Sequence, residues 1–535
     1  MWWQPILADE VDFYRSMINW PVNRALIPHP QAYIHLAQLS MTLFGANIGA
    51  MRIVGVVSAL MSLWLIPVMV HIFWRGRPDG QRITILAVML IALSPMTLQN
   101  AMLLDIDNTL LIPAILVLVC VWGARPGRSI RLRVLWLSLA LAGALWVKLP
   151  TPPMIMAALC AYHLARREWS RAAEIVVASL VGLGMFAVSF GIYSQLTGFD
   201  GAYFAPTFGR TAVFFIIPEL LARFPQGLGV FALWLSIPLA ILSLGALLTS
   251  LRRFRDSQTQ PADALMLCAV AVTAFYTLFY IPAWGYPRYE SPIVPLLMVV
   301  VAGMVAPYTV SVSRRGVLWL TLLVAGLFSF NLWRLPDPLY PIYSVTFDGG
   351  LFDLRHRLLT GLGVVVELGI PLALMLAAGW IVAHVRQYSV SIIGVLLIVV
   401  ACLAGLASLD FTQVAADYST RYRYTYNYAD YAWTVRTVQA AGPTAYILAI
   451  KDVLFESRLA GAEVYDYLCP TCSARLVTAV HARKIDALVW TTKEENRSSD
   501  VATDPNLRAA LLICYDRLTR GVFIVYMSRA DLVCP

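Results

Sequence analysis

The hydrophobic positions of the chain fall into long apolar runs separated by short polar segments. A membrane-spanning helix needs about 20 apolar residues, and about twelve runs reach this length once flanking residues are counted. The runs are Ile53–Trp74, Ile83–Leu98, Asn108–Trp122, Val134–Val147, Pro153–Leu164, Ile175–Leu196, Leu228–Ser250, Ala262–Tyr280, Ile293–Tyr308, Val317–Trp333, Leu359–His384 and Val390–Leu406. The pattern predicts a mainly α-helical, polytopic transmembrane protein.

The two ends of the chain follow other patterns. Residues 1–52 contain no span, and Gln31–Phe44 has the spacing of an amphipathic helix at a membrane surface. From Asp410 onward strands alternate with helices over about 125 residues, which is enough for one core. The predicted elements are the strands Ala445–Ile450, Ala487–Thr491 and Gly521–Ser528 and the helices Cys472–Lys484 and Leu507–Leu518. We therefore predict a transmembrane domain over residues 1–409, with its first outer loop at 1–52, and a small α/β domain over residues 410–535.

Composition agrees with a membrane protein. The chain is 59% hydrophobic and 13% charged, with a mean hydropathy of +0.70, whereas soluble domains carry about 25% charged residues. The net charge of +9 comes from arginine clusters in alternate loops, which is the positive-inside pattern rather than a nucleic-acid surface. The clusters are Arg75, Arg77 and Arg82; Arg125, Arg128, Arg131 and Arg133; Arg166, Arg167 and Arg171; Arg252, Arg253 and Arg255; Arg314 and Arg315; and Arg386. These loops are expected in the cytoplasm, and residues 1–52 and the C-terminal domain outside.

Two features of the C-terminal domain bear on its chemistry. Cys469 and Cys472 form a CxxC, but the remaining cysteines, Cys514 and Cys534, lack the spacing of a second zinc-binding pair. Structural disulfides are the preferred interpretation, with the pairing open. The tyrosine-rich run Tyr422–Tyr431 fits either sugar stacking or a belt at the membrane surface.

Carboxylates occur at two places that the topology puts on the outer face. Asp9 and Glu10 are adjacent in the first outer loop, where a partly dehydrated acid gains proton affinity and suits a general base. The alternative is a helix cap. Asp105 and Asp107 enter a span, where acids are costly and mark function, although acids also stabilise a helix N-terminus.

Cations at the same face form a second candidate group. Lys148 lies at the outer end of a span, where a buried lysine is expensive. Arg288, followed by Tyr289, lies just outside another span, and a guanidinium can grip a phosphate through two hydrogen bonds. The alternative for each is a structural role, as a snorkelling or anchoring cation. His29 lies between two prolines in the first loop, where a neutral loop histidine is the alternative.

The order of these motifs resembles a known family. The series is Asp9-Glu10 with Tyr14, Pro28-His29-Pro30, Tyr33-Ile34-His35-Leu36, Leu43-Phe44-Gly45, Met51-Arg52, Ser94-Pro95, Leu104-Asp105-Ile106-Asp107-Asn108-Thr109-Leu110, Val147-Lys148 and Pro287-Arg288-Tyr289-Glu290-Ser291-Pro292. It is similar to the GT-C membrane glycosyltransferases, in particular the protein-mannosyltransferase-like superfamily with the aminoarabinose transferases of lipid A (glycosyltransferase families 39 and 83). The resemblance covers roughly residues 8–300.

The resemblance implies a GT-C fold and an inverting transfer of a sugar from a polyprenyl-phosphate donor to a lipid, glycan or protein acceptor at the outer face of the plasma membrane. Asp9 would act as catalytic base, with Glu10 holding the loop and Asp107 as the second acid. The donor phosphate would be bound by Arg288, Lys148, His29 and Tyr289. Asp9, Asp105 and Asp107 offer oxygen ligands suited to Mg²⁺ or Mn²⁺, and metal dependence stays open.

The family has a spanning helix ahead of the Asp-Glu loop. Met1–Leu7 is too short to span, so this chain is expected to lack that helix or to begin further upstream.

Two other classes of function are compatible with a polytopic chain. A transporter or flippase for a lipid-linked saccharide predicts broken helices in matched halves and acids at the midplane, whereas these acids cluster at one face. A non-catalytic scaffold predicts that Asp9, Asp107 and Arg288 lie apart.

Overall fold

The membrane domain is a bundle of apolar helices. Apart from short gaps, the computed structural model describes residues 29–124, 129–199, 224–279, 288–307, 428–463, 476–491 and 505–529, together with Phe13 and Met17. The helices of this domain are α1 Ala32–Phe44, α2 Ile48–Phe73, α3 Gly80–Ala92, α4 Leu111–Ala124, α5 Ile130–Val147, α6 Thr151–Ala165, α7 Trp169–Thr197, α8 Ile237–Arg255, α9 Pro261–Phe279, a 3₁₀ helix Arg288–Ile293 and α10 Val294–Val305.

The predicted spans between residues 53 and 308 each coincide with one of these helices. Within the described ranges, α2, α5, α7, α9 and the 3₁₀ helix joined to α10 are long and apolar enough to cross a membrane, whereas α3 and α4 are shorter apolar helices. The prediction of a helical membrane protein is confirmed. The last three predicted spans, from Val317 to Leu406, lie outside the described residues.

Short connections join consecutive helices, so neighbouring helices run in opposite directions. Arginines closely follow α2 and α6 and occupy the last turn of α8, and these three positions lie at one end of the bundle, which we call the arginine end. Lys148 follows α5 directly and Arg288 opens the 3₁₀ helix, so both lie at the opposite end, which we call the lysine end. The bundle thus keeps its arginine turns apart from these two predicted site residues.

Small residues let the helices approach closely. A Cβ added at Gly182 of α7 would lie 3.0 Å from the carbonyl oxygen of Ser138 on α5. At Gly303 of α10 an added Cβ would overlap the indole ring of Trp74, whose Nε1 donates to the carbonyl oxygen of Val299 at 3.2 Å. Without water to drive helix association, such close backbone contacts favour packing inside a bilayer.

The amphipathic helix predicted at Gln31–Phe44 is present as α1, Ala32–Phe44. Its buried face carries Tyr33 and Ile34, whereas Leu39 and Leu43 are exposed. This division fits a helix with one face on the bundle and one toward lipid.

The C-terminal domain contains a five-stranded mixed sheet. Its elements are α11 Tyr428–Gln439, β1 Tyr446–Ala449, β2 Ala460–Glu463, β3 Ala487–Thr491, α12 Pro505–Cys514, β4 Tyr515–Arg520 and β5 Phe523–Ser528. The strand order is β2-β1-β3-β5-β4, with β1 parallel to β2 and β3, and β5 antiparallel to β3 and β4. The predicted α/β character is confirmed.

Three details of the predicted domain are wrong. The helix predicted at Leu507–Leu518 ends at Cys514, because the next residues pair with β5 as the strand β4. The strand β2 was not predicted. Tyr431, the last residue of the tyrosine-rich run, is 2% exposed and packs against Phe523 in the core of this domain, so it serves neither predicted role. Tyr422, Tyr424 and Tyr426 lie outside the described residues.

The cysteine prediction is met in part. Cys514 is disulfide-bonded, as expected for a cysteine of this domain. Cys469, Cys472 and Cys534 lie outside the described residues, as does most of the predicted helix Cys472–Lys484.

Candidate functional site

The lysine end of the bundle holds a buried lysine. Lys148 is the residue after α5, and its backbone N–H donates to the carbonyl oxygen of Ala144, which ends the helix cleanly. The residue is 2% exposed. Its Nζ lies 4.2 Å from the ring centroid of Tyr289 and 5.7 Å from that of Tyr276. A cation near aromatic faces is attracted by the ring quadrupole while keeping its charge.

The two tyrosines form a stacked pair. The rings of Tyr276, on α9, and Tyr289, on the 3₁₀ helix, have centroids 5.0 Å apart and planes within 15° of parallel. The hydroxyls of Tyr276 and Thr151 form a hydrogen bond of 2.8 Å, which ties α9 to the first residue of α6. Three separate parts of the chain therefore fix the position of the Lys148 ammonium group.

Arg288 contacts the same stack. Its guanidinium carbon lies 4.9 Å from the Tyr289 centroid, and Nη2 donates to the Tyr289 hydroxyl at 3.0 Å. The next residue after Tyr289, Glu290, is 2% exposed. Two cations that are remote in sequence thus contact one tyrosine ring.

An apolar cavity adjoins the 3₁₀ helix. It lies between α2, α3, α4 and the start of α10. Leu63 and Ile66 of α2 and Ile112 of α4 line it, together with Ser291 from the helix that carries Arg288. Most of the residues that line the cavity are apolar, which suits a hydrocarbon occupant.

The first loop approaches this end through α1. His29 is half-buried, and its backbone oxygen accepts a hydrogen bond of 2.6 Å from the Gln31 side chain. His35 pairs with the hydroxyl of Tyr193, on α7, at 2.8 Å. The Tyr193 ring packs edge-on against Trp146, two residues before Lys148. The segment containing His29 is thereby anchored to the helices around the lysine.

The predicted acids are not described by the structure. Asp9, Glu10, Asp105 and Asp107 all lie outside the described residues. Of the Asp105–Asp107 segment, Ile106 is described: it is buried, and its carbonyl oxygen accepts the N–H of Leu111 at the start of α4. The described residues contain no group of three acids, histidines or cysteines placed to hold a metal. The proposed metal ligands stay a prediction.

The structure brings together Lys148, Arg288 and Tyr289 out of the predicted donor-phosphate group, and it adds two residues that sequence reasoning missed. Tyr276 lies inside an apolar run, and Thr151 follows a proline, so neither carries a motif. Their contribution follows from the packing of α6 against α9, which no local pattern encodes.

The arginine end is built differently. Arg77 donates to Asp79 and to the carbonyl oxygen of Gly303. The hydrogen bond from the Arg77 guanidinium holds the pKa of Asp79 below its ordinary value. Arg253 grips the fully buried carboxylate of Asp263. These arginines are paired with carboxylates in structural contacts.

One family model matches part of the chain in sequence. The family model described as dolichyl-phosphate-mannose-protein mannosyltransferase matches residues 28–191. The match includes His29 and Lys148 and ends before Arg288. No curated protein matches the chain in sequence.

Comparison with solved structures identifies the fold. The crystal structure of ArnT from Cupriavidus metallidurans bound to undecaprenyl phosphate is similar with a TM-score of 0.62 and 15% identity, covering 99% of this chain and 95% of that one. Its apo form gives 0.59 and 14% identity with the same coverage. The oligosaccharyltransferase AglB from Archaeoglobus fulgidus overlaps less well, with a TM-score of 0.46, 12% identity and coverage of 99% and 71%.

These comparisons confirm the predicted resemblance to the GT-C glycosyltransferases and to their mannosyltransferase-like branch. The chain is a multi-pass membrane protein with the GT-C fold.

Proposed function

We propose that this protein is an inverting glycosyltransferase that moves a sugar from a polyprenyl phosphate to an acceptor hydroxyl at the outer face of the plasma membrane. The observation that carries the proposal is the shared position of Lys148 and Arg288 on the Tyr289 ring. Positive charge is needed there because negative charge builds on the phosphate as the glycosidic bond breaks.

The apolar cavity supports a lipid-linked donor. A sugar on a polyprenyl phosphate needs a cationic site for its phosphate and an apolar groove for its tail. Ser291 lines the cavity and belongs to the same 3₁₀ helix as Arg288, so the two features adjoin. The ArnT relative was crystallised with undecaprenyl phosphate, a ligand of this chemical class.

In the proposed reaction, Asp9 removes the proton from the acceptor hydroxyl while that oxygen attacks the anomeric carbon. The bond from the anomeric carbon to the phosphate oxygen breaks, and Lys148 and Arg288 stabilise the departing polyprenyl phosphate. A single displacement inverts the anomeric centre. Glu10 holds the loop, Asp107 orients the acceptor, and His29 and Tyr289 complete the phosphate site.

The orientation follows the positive-inside rule. Arginines crowd the turns at the arginine end, which places that end in the cytoplasm. The lysine end, and with it the reaction, then faces outside.

The test uses the full chain in proteoliposomes with a radiolabelled polyprenyl-phosphate sugar. We expect Arg288→Gln to lower transfer by about 100-fold or more, as does loss of a transition-state donor, and Asp9→Asn to do the same through loss of the base. The control is Arg255→Gln, because Arg255 is exposed at the arginine end and pairs with Asp256.

Transfer that survives both substitutions would refute the assigned site. Labelled sugar crossing the bilayer without being transferred would instead identify a flippase. Transfer lost in EDTA and restored by Mg²⁺ or Mn²⁺ would assign a metal to Asp9, Asp105 and Asp107.

A further inference from the structure

A second cavity, which is polar, lies at the arginine end, remote from the Lys148 site. It is a shallow recess that opens to the surface among α4, α5, α6 and α7. Its polar lining consists of Arg133, His163, Arg171 and Glu174, and the Trp122 indole forms part of its wall. None of these residues belongs to the proposed transfer reaction.

Positive charge exceeds negative charge among the cavity's arginines and glutamate. Arg133 donates from Nε and Nη2 to the two oxygens of Glu174, at 2.9 and 3.1 Å. Arg171 reaches the same carboxylate at 3.4 Å. One carboxylate therefore serves two guanidiniums, which leaves a net charge of about +1 by formal count. Arg253 differs, because the carboxylate of Asp263 balances its single charge.

Donor capacity is left over as well. Each guanidinium has about five N–H groups, and within the described part of the chain the two arginines direct three donor atoms at Glu174. The Arg133 and Arg171 side chains are 20% and 34% exposed, so the remaining donors can meet a ligand. An anion with several oxygens satisfies such donors best.

His163 forms the buried inner wall of this cavity. The His163 side chain is 2% exposed, and its Nδ1 bonds Glu168 at 2.6 Å. Its ring lies 5.7 Å from that of Trp122. Glu168 also pairs with Arg166 at 2.9 Å, so its charge is shared within the α6–α7 turn.

The surroundings of the cavity are apolar. Arg133 and Arg171 lie in the first turns of α5 and α7. On the same helices Leu135, Trp136 and Trp169 are exposed, as expected of side chains in contact with lipid. Exposed tryptophans near helix ends are typical of the water–lipid boundary, which is the depth of phospholipid headgroups.

We propose that this cavity binds the phosphate headgroup of an anionic phospholipid, whose acyl chains lie along the exposed apolar side chains of α5 and α7. Basic cavities between membrane helices on the cytoplasmic side are suited to such headgroups. A soluble phosphate shares the headgroup chemistry but would not use the apolar surroundings.

The test is native mass spectrometry of the full-length protein in detergent, titrated with phosphatidylglycerol, cardiolipin or phosphatidylcholine. We expect one anionic lipid to remain bound where phosphatidylcholine does not. The double substitution Arg133→Gln with Arg171→Gln should weaken that binding at least about tenfold, the effect of losing one charged hydrogen bond.

Two further variants make the outcome decisive. Glu174→Gln removes the competing carboxylate but keeps both arginines, so it should bind anionic lipid as well as or better than the parent protein, even if the double variant does not fold. Arg255→Gln removes one charge from an exposed pair at the same end and should change binding less than about twofold.

Equal losses of lipid affinity in Arg255→Gln and in the double variant would mean that the overall positive charge of this end, not the cavity, attracts the lipid. That result would overturn the proposal. Weaker binding by Glu174→Gln would do the same. Displacement of the lipid by an equal concentration of inorganic phosphate would reassign the site to a soluble anion and overturn the lipid assignment.

Discussion

Both ends of the helical bundle carry cations, but the two ends hold them in different ways. At the lysine end, Lys148 and Arg288 lie against the face of Tyr289. At the arginine end, Arg77 and Arg253 are gripped by aspartates. An aromatic face holds a cation without cancelling its charge, whereas a carboxylate neutralises it.

We assign the aspartate-bound Arg77 and Arg253 to stabilising the fold, and the tyrosine-bound Lys148 and Arg288 to the proposed phosphate site. Asp263, which binds Arg253, also accepts hydrogen bonds from the Ser250 hydroxyl and the Gln260 backbone, so it closes the α8–α9 turn. The Tyr276–Tyr289 stack joins α9 to the 3₁₀ helix, and both rings lie near the Lys148 ammonium group. Four substitutions test the contrast.

The largest effect is expected at Lys148. Lys148→Met keeps the length of the side chain and removes its charge, so sugar transfer from a polyprenyl phosphate should fall by about 100-fold or more. Lys148→Arg should not restore it fully, because a planar guanidinium does not fit the place of an ammonium group. The matched variant Arg133→Gln, at the other end, should leave transfer within about twofold of the parent. Similar losses of transfer in Lys148→Met and Arg133→Gln would contradict a special role for the lysine end.

The next effect concerns stability. Asp263→Asn leaves Arg253 without its carboxylate inside the packed bundle, and we expect the free energy of unfolding to fall by about 3 kcal/mol. The control Asp256→Asn breaks an exposed pair with Arg255 and should cost less than about 0.5 kcal/mol. Thermal unfolding in detergent measures both. Transfer per folded molecule should be unchanged in Asp263→Asn; a selective loss of activity would contradict a structural role.

A smaller effect is expected at Tyr289. Tyr289→Leu removes the aromatic face from Lys148 and Arg288, and it should weaken donor binding about 5- to 30-fold, which corresponds to about 1–2 kcal/mol. Tyr289→Phe keeps the face and loses only the hydroxyl that accepts from Arg288, so its loss should be smaller. Titration with a labelled polyprenyl phosphate measures both affinities. If Tyr289→Phe lost more donor affinity than Tyr289→Leu, the hydroxyl and not the ring would hold the cations.

The smallest effect concerns pH. The Arg77 hydrogen bond lowers the pKa of Asp79 from its ordinary 3.8. For an acid whose pKa is depressed by folding, the added stability is present above the unfolded value and is lost as pH falls through the folded value. The difference in thermal midpoint between the parent and Asp79→Asn should therefore stay constant from pH 7 to about pH 5 and shrink below the ordinary pKa. If the difference between the two thermal midpoints grew on acidification, the pKa of Asp79 would be raised by folding rather than lowered.

Most of the membrane fold could be predicted from the sequence. Apolar runs define helices because a bilayer offers no partner for unsatisfied backbone groups. The predicted helix ends are less accurate where charged residues flank an apolar run. The span predicted to start at Val134 begins at Ile130, since the Ser129 hydroxyl accepts the N–H of Leu132 and caps the helix before the arginines.

The C-terminal domain was harder to predict because pairing between strands is not local. Leu507–Leu518 has a helical spacing throughout, yet the chain after Cys514 pairs with β5. Gly521 supplies the left-handed backbone, with φ of 56°, that turns β4 into β5. The gain from completing the sheet edge outweighs helix propensity over these residues.

The candidate site divides in the same way. Lys148, Arg288 and Tyr289 could be predicted because charged residues at the ends of apolar runs are conspicuous and costly. Tyr276 and Thr151 could not, since their hydrogen bond depends on how two helices pack.

The sequence by itself determined that this chain crosses a membrane repeatedly, where its cations cluster, and which residues are candidates for the chemistry. Hydropathy and charge are properties of short segments, and the bilayer acts on each segment separately. Only the tertiary structure decided that Lys148 and Arg288 share one tyrosine ring and that Arg133 and Arg171 share one glutamate. Such meetings depend on the angles and offsets of packed helices, which arise from contacts between residues far apart in the chain.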